Sequence, residues 1–233
     1  MAGRKEQIKQ GLGAGWPICL GYVPIGLAFG VLAQKAGFGP VQIGLMSLIV
    51  FAGSSQFIAI SLFASGATAA SIILTTLAVN LRHLLMSSSL LIYLKKTKQR
   101  VLMLFAYGVT DESFAVNYSR LLQGEWSMTS ALTVNHAANL TWFFCTMLGG
   151  IMGQFIPEKA FGIDYALIAM FICLLVMQIR GWLYVLTAIG AGALAVVFAL
   201  VIEGNFYIVM ASMLAAAVGV IIKRAVQSRL IKN

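Results

Sequence analysis

The chain has 233 residues, of which 60% are apolar and only 10% are charged. Soluble globular domains carry about 25% charged residues, so this composition excludes an ordinary soluble protein. The net charge of +9 does not indicate nucleic-acid binding either, because the basic residues form short clusters at the ends of apolar runs. We therefore predict an all-α polytopic integral membrane protein that forms one transmembrane domain over residues 1–233.

Eight apolar segments follow one another along the chain, at residues 12–34, 41–63, 67–93, 101–121, 131–153, 163–179, 183–202 and 206–222. Lys and Arg collect on the cytoplasmic side of membrane proteins, so the sixteen basic residues discriminate between topologies. If segments 12–34 and 101–121 enter and leave on the same side, fourteen basic residues lie inside and Lys159 lies outside, with Arg82 in the membrane. If all eight segments cross the membrane fully, a smaller share of the basic residues lies on the cytoplasmic side. We predict about six full transmembrane helices, two broken or re-entrant segments, and cytoplasmic N- and C-termini.

The two exceptional segments contain residues that interrupt helices. The first contains Pro17, Gly21, Pro24, Gly26 and Gly30. In the second, Gly108 is a predicted break, and Thr110 is a predicted N-cap for a short helix that starts at Asp111. Non-helical backbone at membrane depth is tolerated only where protein or a water-filled cavity covers it, so we expect such breaks to line a site. For the first segment the alternative is that proline and glycine are simply common in membrane helices.

A third break is predicted within residues 51–57. Gly53 could end one half-helix, and Ser54, Ser55 and Gln56 follow it at the start of the next. Free backbone N–H groups at such a start attract an anion such as a carboxylate. The alternative is that these small residues let two helices pack closely, and packing is the preferred interpretation of Gly149 and Gly153. Residues 12–93 and 101–179 also form a weak predicted repeat, each with one broken element and two crossings.

The segment at 67–93 carries a polar stripe on an apolar helix. The stripe consists of Thr76, Asn80, His83 and Ser87, spaced by three or four residues. Arg82 lies on the neighbouring face, and a charged arginine at the bilayer centre costs about 2.5 to more than 10 kcal/mol unless it finds a partner. The other acids belong to tails and loops, so we predict that Arg82 lies near Asp111 or Glu112. The alternatives are a static ion pair that locks two elements, and acids that merely cap a helix.

A second polar cluster is predicted at Asn135, His136 and Asn139. Asn139 is a neighbour of Asn135 and of His136 on a helix surface, at spacings of four and three residues. A lone histidine in such a place is more often a structural group than a proton carrier, and we favour the structural role for His136.

Four motifs in this order resemble the AzlC family of branched-chain amino acid permeases and exporters. They are VPIGLAFG at 23–30, FAGSSQF at 51–57, VNLRH at 79–83 and YGVTDESFA at 107–115. The resemblance implies a bacterial inner-membrane protein that exports valine, leucine or isoleucine, with methionine as a further candidate. It also implies a small hydrophobic membrane partner of the AzlD type.

The residues and the resemblance together suggest a mechanism for a zwitterionic substrate. Helix starts at Ser54 and Ser55, or at Thr110, would receive the carboxylate, and Asp111 or Glu112 would receive the ammonium group. The candidates for an apolar pocket are Phe29, Phe51, Phe57 and Phe114. Proton coupling through His83, Asp111 or Glu112 is the simplest energy source, since the chain has no phosphate-binding Gly-Lys-Ser/Thr loop. No metal or cofactor is expected.

Two other functions stay open at this point. An intramembrane serine hydrolase would use Ser54 or Ser55 as nucleophile and His83 or His136 as base, although the stretch lacks the closing glycine of a nucleophile elbow. A non-transporting scaffold subunit would leave the pathway to its partner.

Overall fold

The computed structural model describes residues 3–94, 97–124, 126–157 and 181–201, together with 165, 168, 169, 172, 175, 176, 179, 210, 211, 214, 215 and 217–222. Within these residues the secondary structure is helical and contains no strand, as predicted. The helices are α1 (Arg4–Lys35), α2 (Pro40–Ile49), α3 (Gly53–Ala64), α4 (Ala69–Leu91), α5 (Gln99–Tyr107), α6 (Asp111–Leu122), α7 (Met128–Met152) and α8 (Trp182–Val201), and a 3-10 turn (Gly153–Phe155) follows α7. The predicted segments at 163–179 and 206–222 lie largely outside the described residues.

Three of the described helices, α1, α4 and α8, are long and apolar enough to cross a membrane. The 32 residues of α1 extend over about 48 Å at about 1.5 Å per residue, which exceeds a bilayer core of about 30 Å. The 25 residues of α7 extend over about 37 Å. By contrast, α2 and α3 have 10 and 12 residues, so each is only about half as long as a bilayer core is thick.

The chain forms two compact units, one of residues 1–66 and 79–167 and one of residues 67–78 and 168–233. In the second unit, Gly219 lies close to the side chain of Thr187 on α8, where a Cβ at Gly219 would come within 2.8 Å of the threonine hydroxyl. Small residues thus let helices of that unit approach closely. Helices α1 to α3 and α5 to α7, together with the part of α4 from Val79 onward, belong to the first unit.

The first unit is built on α1 and α7, which run parallel to each other in close contact. Near the start of both helices, Gly11 lies against Thr133, and near their ends Gly30 lies against the backbone of Thr146 and Gly150. Gly149 in turn packs on the backbone of α1. The packing interpretation of Gly149 is thereby confirmed, because a side chain there would collide with α1.

The prediction that residues 12–34 form a broken or re-entrant segment is wrong. Pro17 and Pro24 both lie inside α1, which is one continuous helix. A proline removes one backbone hydrogen bond, but helices in membranes tolerate this loss when neighbouring helices support them. Gly26 and Gly30 serve packing instead, since both face α7.

The segment that doubles back is 40–64, which we call the first hairpin. At its start, Ile43 on α2 lies against Gly150 near the end of α7. At its far end, the Phe63 ring lies 4.9 Å from the ring of Phe38, the residue shortly before α2. The first hairpin therefore enters and leaves at the C-terminal end of α1.

The second hairpin, residues 99–122, doubles back from the opposite end. Leu102 near its start and Leu121 near its end both pack on a buried cluster that includes Ala131, close to the start of α7. Leu90 at the end of α4 belongs to the same cluster, so α4 runs in the opposite direction to α1 and α7. The predicted re-entrant course of 101–121 agrees with this geometry.

Candidate functional site

The turn of the second hairpin has the predicted structure. Gly108 ends α5, Thr110 is the N-cap of α6, and α6 starts at Asp111. The Thr110 hydroxyl accepts a hydrogen bond from the Ser113 N–H, and the Ser113 hydroxyl accepts one from the Thr110 N–H, which is a reciprocal capping box. A Cβ at Gly108 would lie 2.6 Å from the Cβ of Asn135, so glycine is required for the approach to α7.

The turn of the first hairpin differs in detail from the prediction. The break spans residues 50–52, Phe51 adopts a left-handed φ of 40°, and Ala52 is the N-cap of α3. Ser54 and Ser55 are inside the first turn of α3 and do not cap it. Gly53 is needed for close approach, because a Cβ there would lie 3.2 Å from the Trp142 ring.

The tips of the two hairpins are in direct contact. The Tyr107 hydroxyl, at the end of α5, donates to the Leu48 carbonyl in the last turn of α2. Asn139 on α7 donates to the same hydroxyl at 3.1 Å, and the Phe51 ring lies 6.3 Å from the Tyr107 ring. Two interrupted elements that enter from opposite ends therefore meet about halfway along α1 and α7.

Arg82 on α4 bridges the helix starts at these tips. Its Nη1 lies 2.7 Å from Oδ2 of Asp111, the first residue of α6. Its Nη2 donates to the hydroxyl of Ser54, in the first turn of α3. The predicted partnership of Arg82 with Asp111 is confirmed, and the guanidinium joins α3 to α6. The side chains of Arg82 and Asp111 are 29% and 26% exposed, so the ion pair is not sealed inside the protein.

Glu112, the second acid of the motif, is held by Tyr22 on α1. The Tyr22 hydroxyl lies 2.7 Å from Oε2 of Glu112 and 3.0 Å from Oγ1 of Thr110. Tyr22 is a site residue that the sequence reasoning missed. The sequence did contain a signal for it, because Tyr22 carries a polar hydroxyl on the same face of α1 as Ile18 and Gly26, which are both buried.

A buried chain of hydrogen bonds attaches the first hairpin to α7. Gln56 is fully buried; its Nε2 donates to Ser47 at 3.0 Å, and its Oε1 accepts from the Trp142 indole at 2.9 Å. Ser47 is also bonded to Thr146 at 2.8 Å. Gln56, which is predicted to bind substrate, braces the hairpin through these bonds.

Asn135 performs a similar role for the second hairpin. Its Nδ2 donates to the Phe105 carbonyl and its Oδ1 accepts from Asn117, both at 2.9 Å. These bonds satisfy polar groups where α5 ends. The predicted cluster of Asn135, His136 and Asn139 therefore divides, because the two asparagines bond the hairpin and His136 takes no part in these bonds.

Three buried polar atoms on α4 have no hydrogen-bond partner in the described part of the chain. They are Oδ1 of Asn80, Nε of Arg82 and Nε2 of His83. Thr76, at the start of the predicted stripe, bonds instead to the Ile72 carbonyl of its own helix at 2.8 Å. Unpartnered buried polar atoms are costly, so each calls for an explanation.

The geometry does not support a serine hydrolase. The Ser54 hydroxyl accepts from Arg82, and the Ser55 hydroxyl donates to the Ala52 carbonyl at 3.0 Å. In the part of the chain that the structure describes, no hydrogen bond joins either serine to His83 or His136. A nucleophile and its base must lie within hydrogen-bond reach of each other.

Three of the four aromatic residues predicted to form a pocket are packed tightly. Phe29, Phe51 and Phe57 are at most 2% exposed. The Phe29 ring contacts Phe57 at 5.1 Å edge to face. Phe114 lies apart and stacks on Tyr118 at 5.5 Å. Phe29 also stacks on the Trp142 ring of α7 at 6.0 Å, so Phe29, Phe57 and Trp142 fill the interior between α1, α3 and α7.

The charges at the tips suit a ligand that carries both signs. The starts of α3 and α6 each present the positive end of a helix dipole. Arg82 adds a positive charge, and the carboxylates of Asp111 and Glu112 add two negative ones. Such a site offers donors to a carboxylate and acceptors to an ammonium group.

Comparisons with known proteins identify the family of the chain. The family model described as "AzlC protein" matches residues 17–156, which include both hairpins. "Branched-chain amino acid transport protein AzlC" of Bacillus subtilis is 28% identical over 91% of this chain and 83% of its own length. "Inner membrane protein YgaZ" of Escherichia coli is 32% identical over 77% of this chain and 76% of its own length.

An "Uncharacterized membrane protein" of Archaeoglobus fulgidus is 32% identical over 84% of this chain and 86% of its own length. No solved structure matches the chain significantly. The family match covers more than half of the sequence, and the named relatives include membrane proteins. The chain is a helical membrane protein that belongs to the AzlC family.

Proposed function

We propose that this protein transports branched-chain amino acids out of the cell across the bacterial inner membrane. The observation that carries the proposal is the meeting of two hairpin tips at Arg82, where opposite charges and two helix starts converge. Interrupted helices that meet near the membrane centre are a common way to build a transport site. The name of the Bacillus relative supports branched-chain amino acids as the substrate class.

The substrate binds at the tips, between the start of α3 and the start of α6. Its carboxylate faces the Arg82 guanidinium and the backbone N–H groups near Ser54. Its ammonium group faces Asp111 or Glu112, which are the acids at the start of α6. The proposed substrates are valine, leucine, isoleucine and methionine.

The membrane topology that fits these elements has six crossings and two hairpins. α1, α4, α7, the segment 163–179, α8 and the segment 206–222 cross the membrane, and both termini are cytoplasmic. The first hairpin then enters from outside and the second from the cytoplasm. Only Lys35 and Lys159 lie outside and Arg82 lies within, while the other thirteen basic residues are cytoplasmic. Each of α1 and α4 is followed by a hairpin, and the two sets have opposite orientations, as in an inverted repeat.

Export against a gradient requires an energy source, and we propose that protons supply it. Asp111, Glu112 and His83 are the titratable groups in and beside the site. A carboxylate that alternately binds a proton and the substrate ammonium couples the two movements. Leucine transport into inverted vesicles that does not change when the proton gradient is collapsed would refute this coupling.

A small hydrophobic membrane subunit of the AzlD type is the expected partner. α4 exposes an apolar face that includes Leu81, Leu84 and Leu85, each more than half exposed in the isolated chain. Lipid or a membrane partner covers such a face in a bilayer. Pull-down of a co-expressed small subunit, with and without Leu81→Lys, tests its recruitment to this face.

The deciding experiment measures efflux of radiolabelled valine, leucine and methionine from preloaded cells. Cells with and without the chain are compared, and the assay is repeated with the small subunit co-expressed. We expect faster efflux of at least one of the three when the chain is present. The proposal is contradicted if, for each of the three amino acids, the efflux rate is the same with and without the chain. If the chain is only a scaffold subunit, efflux depends on the presence of the chain, but substitutions of Arg82 and Asp111 do not change the efflux rate.

A further inference from the structure

We propose that Arg82 is an exchangeable counter-ion, which occupies the ammonium position at Asp111 when the site is empty and moves to the carboxylate when an amino acid binds. This inference rests on the proposed function. The substrate ammonium group replaces the Arg82 guanidinium at Asp111, and the released guanidinium pairs with the substrate carboxylate. The charge of the site is the same before and after, because an amino acid zwitterion adds one charge of each sign.

The contacts of Arg82 carry this inference. A guanidinium has five N–H donors, and the two partners of Arg82, Asp111 and Ser54, are reached through Nη1 and Nη2. Its Nε is buried and has no hydrogen-bond partner among the described residues. A purely structural arginine in a membrane helix would be expected to satisfy every buried donor. Arg82 thus keeps unused capacity for an anion beside its ion pair.

The exposure of the pair makes exchange feasible. The side chains of Arg82 and Asp111 are about a quarter exposed, so a ligand can approach the pair without unfolding the hairpin tips. The unpaired Nε of Arg82 and the adjacent carboxylate of Asp111 offer a donor and an acceptor to the two ends of a zwitterion.

Exchange also connects binding to the shape of the site. In this structure, the guanidinium joins the start of α3 to the start of α6. When the ammonium group binds Asp111, this bridge is broken, and the two hairpin tips stay joined through the Tyr107–Leu48 hydrogen bond and the contact of the Phe51 and Tyr107 rings. Occupancy therefore changes how firmly the hairpins are held together.

The test uses leucine and two fragments of it, titrated calorimetrically against the purified full chain in detergent. 3-Methylbutylamine lacks the carboxylate, and 4-methylpentanoate lacks the ammonium group. In the wild type both fragments bind weakly, because each displaces one half of the ion pair and leaves the other half without a partner. Leucine binds more tightly than either.

Arg82→Gln and Asp111→Asn break the same ion pair, yet we expect them to change the affinities for the two fragments in opposite directions. Arg82→Gln frees Asp111, so affinity for the amine rises about tenfold and affinity for the carboxylate falls. Asp111→Asn frees Arg82, so affinity for the carboxylate rises about tenfold and affinity for the amine falls. Both variants weaken leucine binding.

Arg120→Gln is the matched control. Arg120 is an exposed arginine on α6 whose guanidinium lies over the Trp126 ring at 5.6 Å, and its removal should leave all three affinities unchanged. Gel-filtration profiles verify that the variants are folded. The exchange is refuted if Arg82→Gln and Asp111→Asn both lose affinity for both fragments, or if neither variant gains affinity for either fragment. Arg82 is then a fixed structural residue. If the wild type binds leucine in that experiment, the proposed function stands; absence of leucine binding contradicts both.

Discussion

The substitution Gly30→Ala tests whether α1 and α7 form the rigid centre of the first unit. A Cβ at Gly30 would lie 2.1 Å from the Thr146 carbonyl oxygen and 2.5 Å from the Gly150 nitrogen. Ordinary contacts of carbon atoms are about 3.5–4.0 Å, so the two helices must separate by more than about 1 Å. Both colliding atoms are backbone, which cannot rotate away. Overpacking of this kind costs about 1–3 kcal/mol.

Gly21→Ala is the matched control on the same helix. No atom lies within 4 Å of a Cβ built at Gly21, so alanine there should be neutral or stabilising by up to about 1 kcal/mol through its higher helix propensity. Thermal unfolding followed by tryptophan fluorescence in detergent compares the two variants. A difference of about 2 kcal/mol corresponds to about 4–8 °C for a chain of this size. If Gly30→Ala unfolds at the same temperature as Gly21→Ala, the close packing of α1 on α7 is incorrect.

Three further substitutions test the contacts around the hairpin tips. Tyr22→Phe removes the donor to Glu112 while the capping box of α6 persists, so leucine efflux should slow with little change in unfolding temperature; a large loss of stability would contradict this. Gln56→Leu leaves the Trp142 indole N–H without its acceptor, and roughly 1–3 kcal/mol of stability should be lost in thermal unfolding. Asn135→Ala removes both bonds of that amide and should cost a similar amount, and unchanged stability would show that the bonds are not needed to hold α5.

The parts of the site that could be predicted from sequence are those for which the sequence offers few candidate residues. An arginine within a span needs an acid, and the acids other than Asp111 and Glu112 lie in tails and loops or at the edge of a segment, so few partners were available to Arg82. The start of α6 followed from the capping preferences of Thr110 after a helix-breaking Gly108.

The assignment of the doubling-back segment failed for a quantitative reason. Exchanging segment 12–34 for residues 40–64 as the re-entrant element moves only one basic residue, Lys35, across the membrane. The charge rule therefore hardly separates the two topologies. Proline content favoured the wrong one, because a proline inside a well-packed helix costs less than the same proline in water.

The remaining site residues depend on tertiary contacts that no local pattern encodes. Tyr22 bonds to Glu112, which is 90 residues away in sequence, and Gln56 bonds to Trp142, which is 86 residues away. A polar side chain in an apolar helix signals that a partner exists, but the sequence does not identify the partner. Gln56 was accordingly predicted to bind substrate, although both ends of its amide are occupied by the protein.

The central claim is that amino acids pass through the meeting point of the two hairpins, and leucine efflux from cells expressing Asp111→Asn tests it most directly. Glu6→Gln is the control, since Glu6 is an exposed acid in the first turn of α1. With equal amounts of each protein in the membrane, we expect efflux to fall at least about tenfold for Asp111→Asn, the effect of losing one charged partner. Glu6→Gln should match the wild type. Wild-type efflux by Asp111→Asn would show that the substrate takes another route.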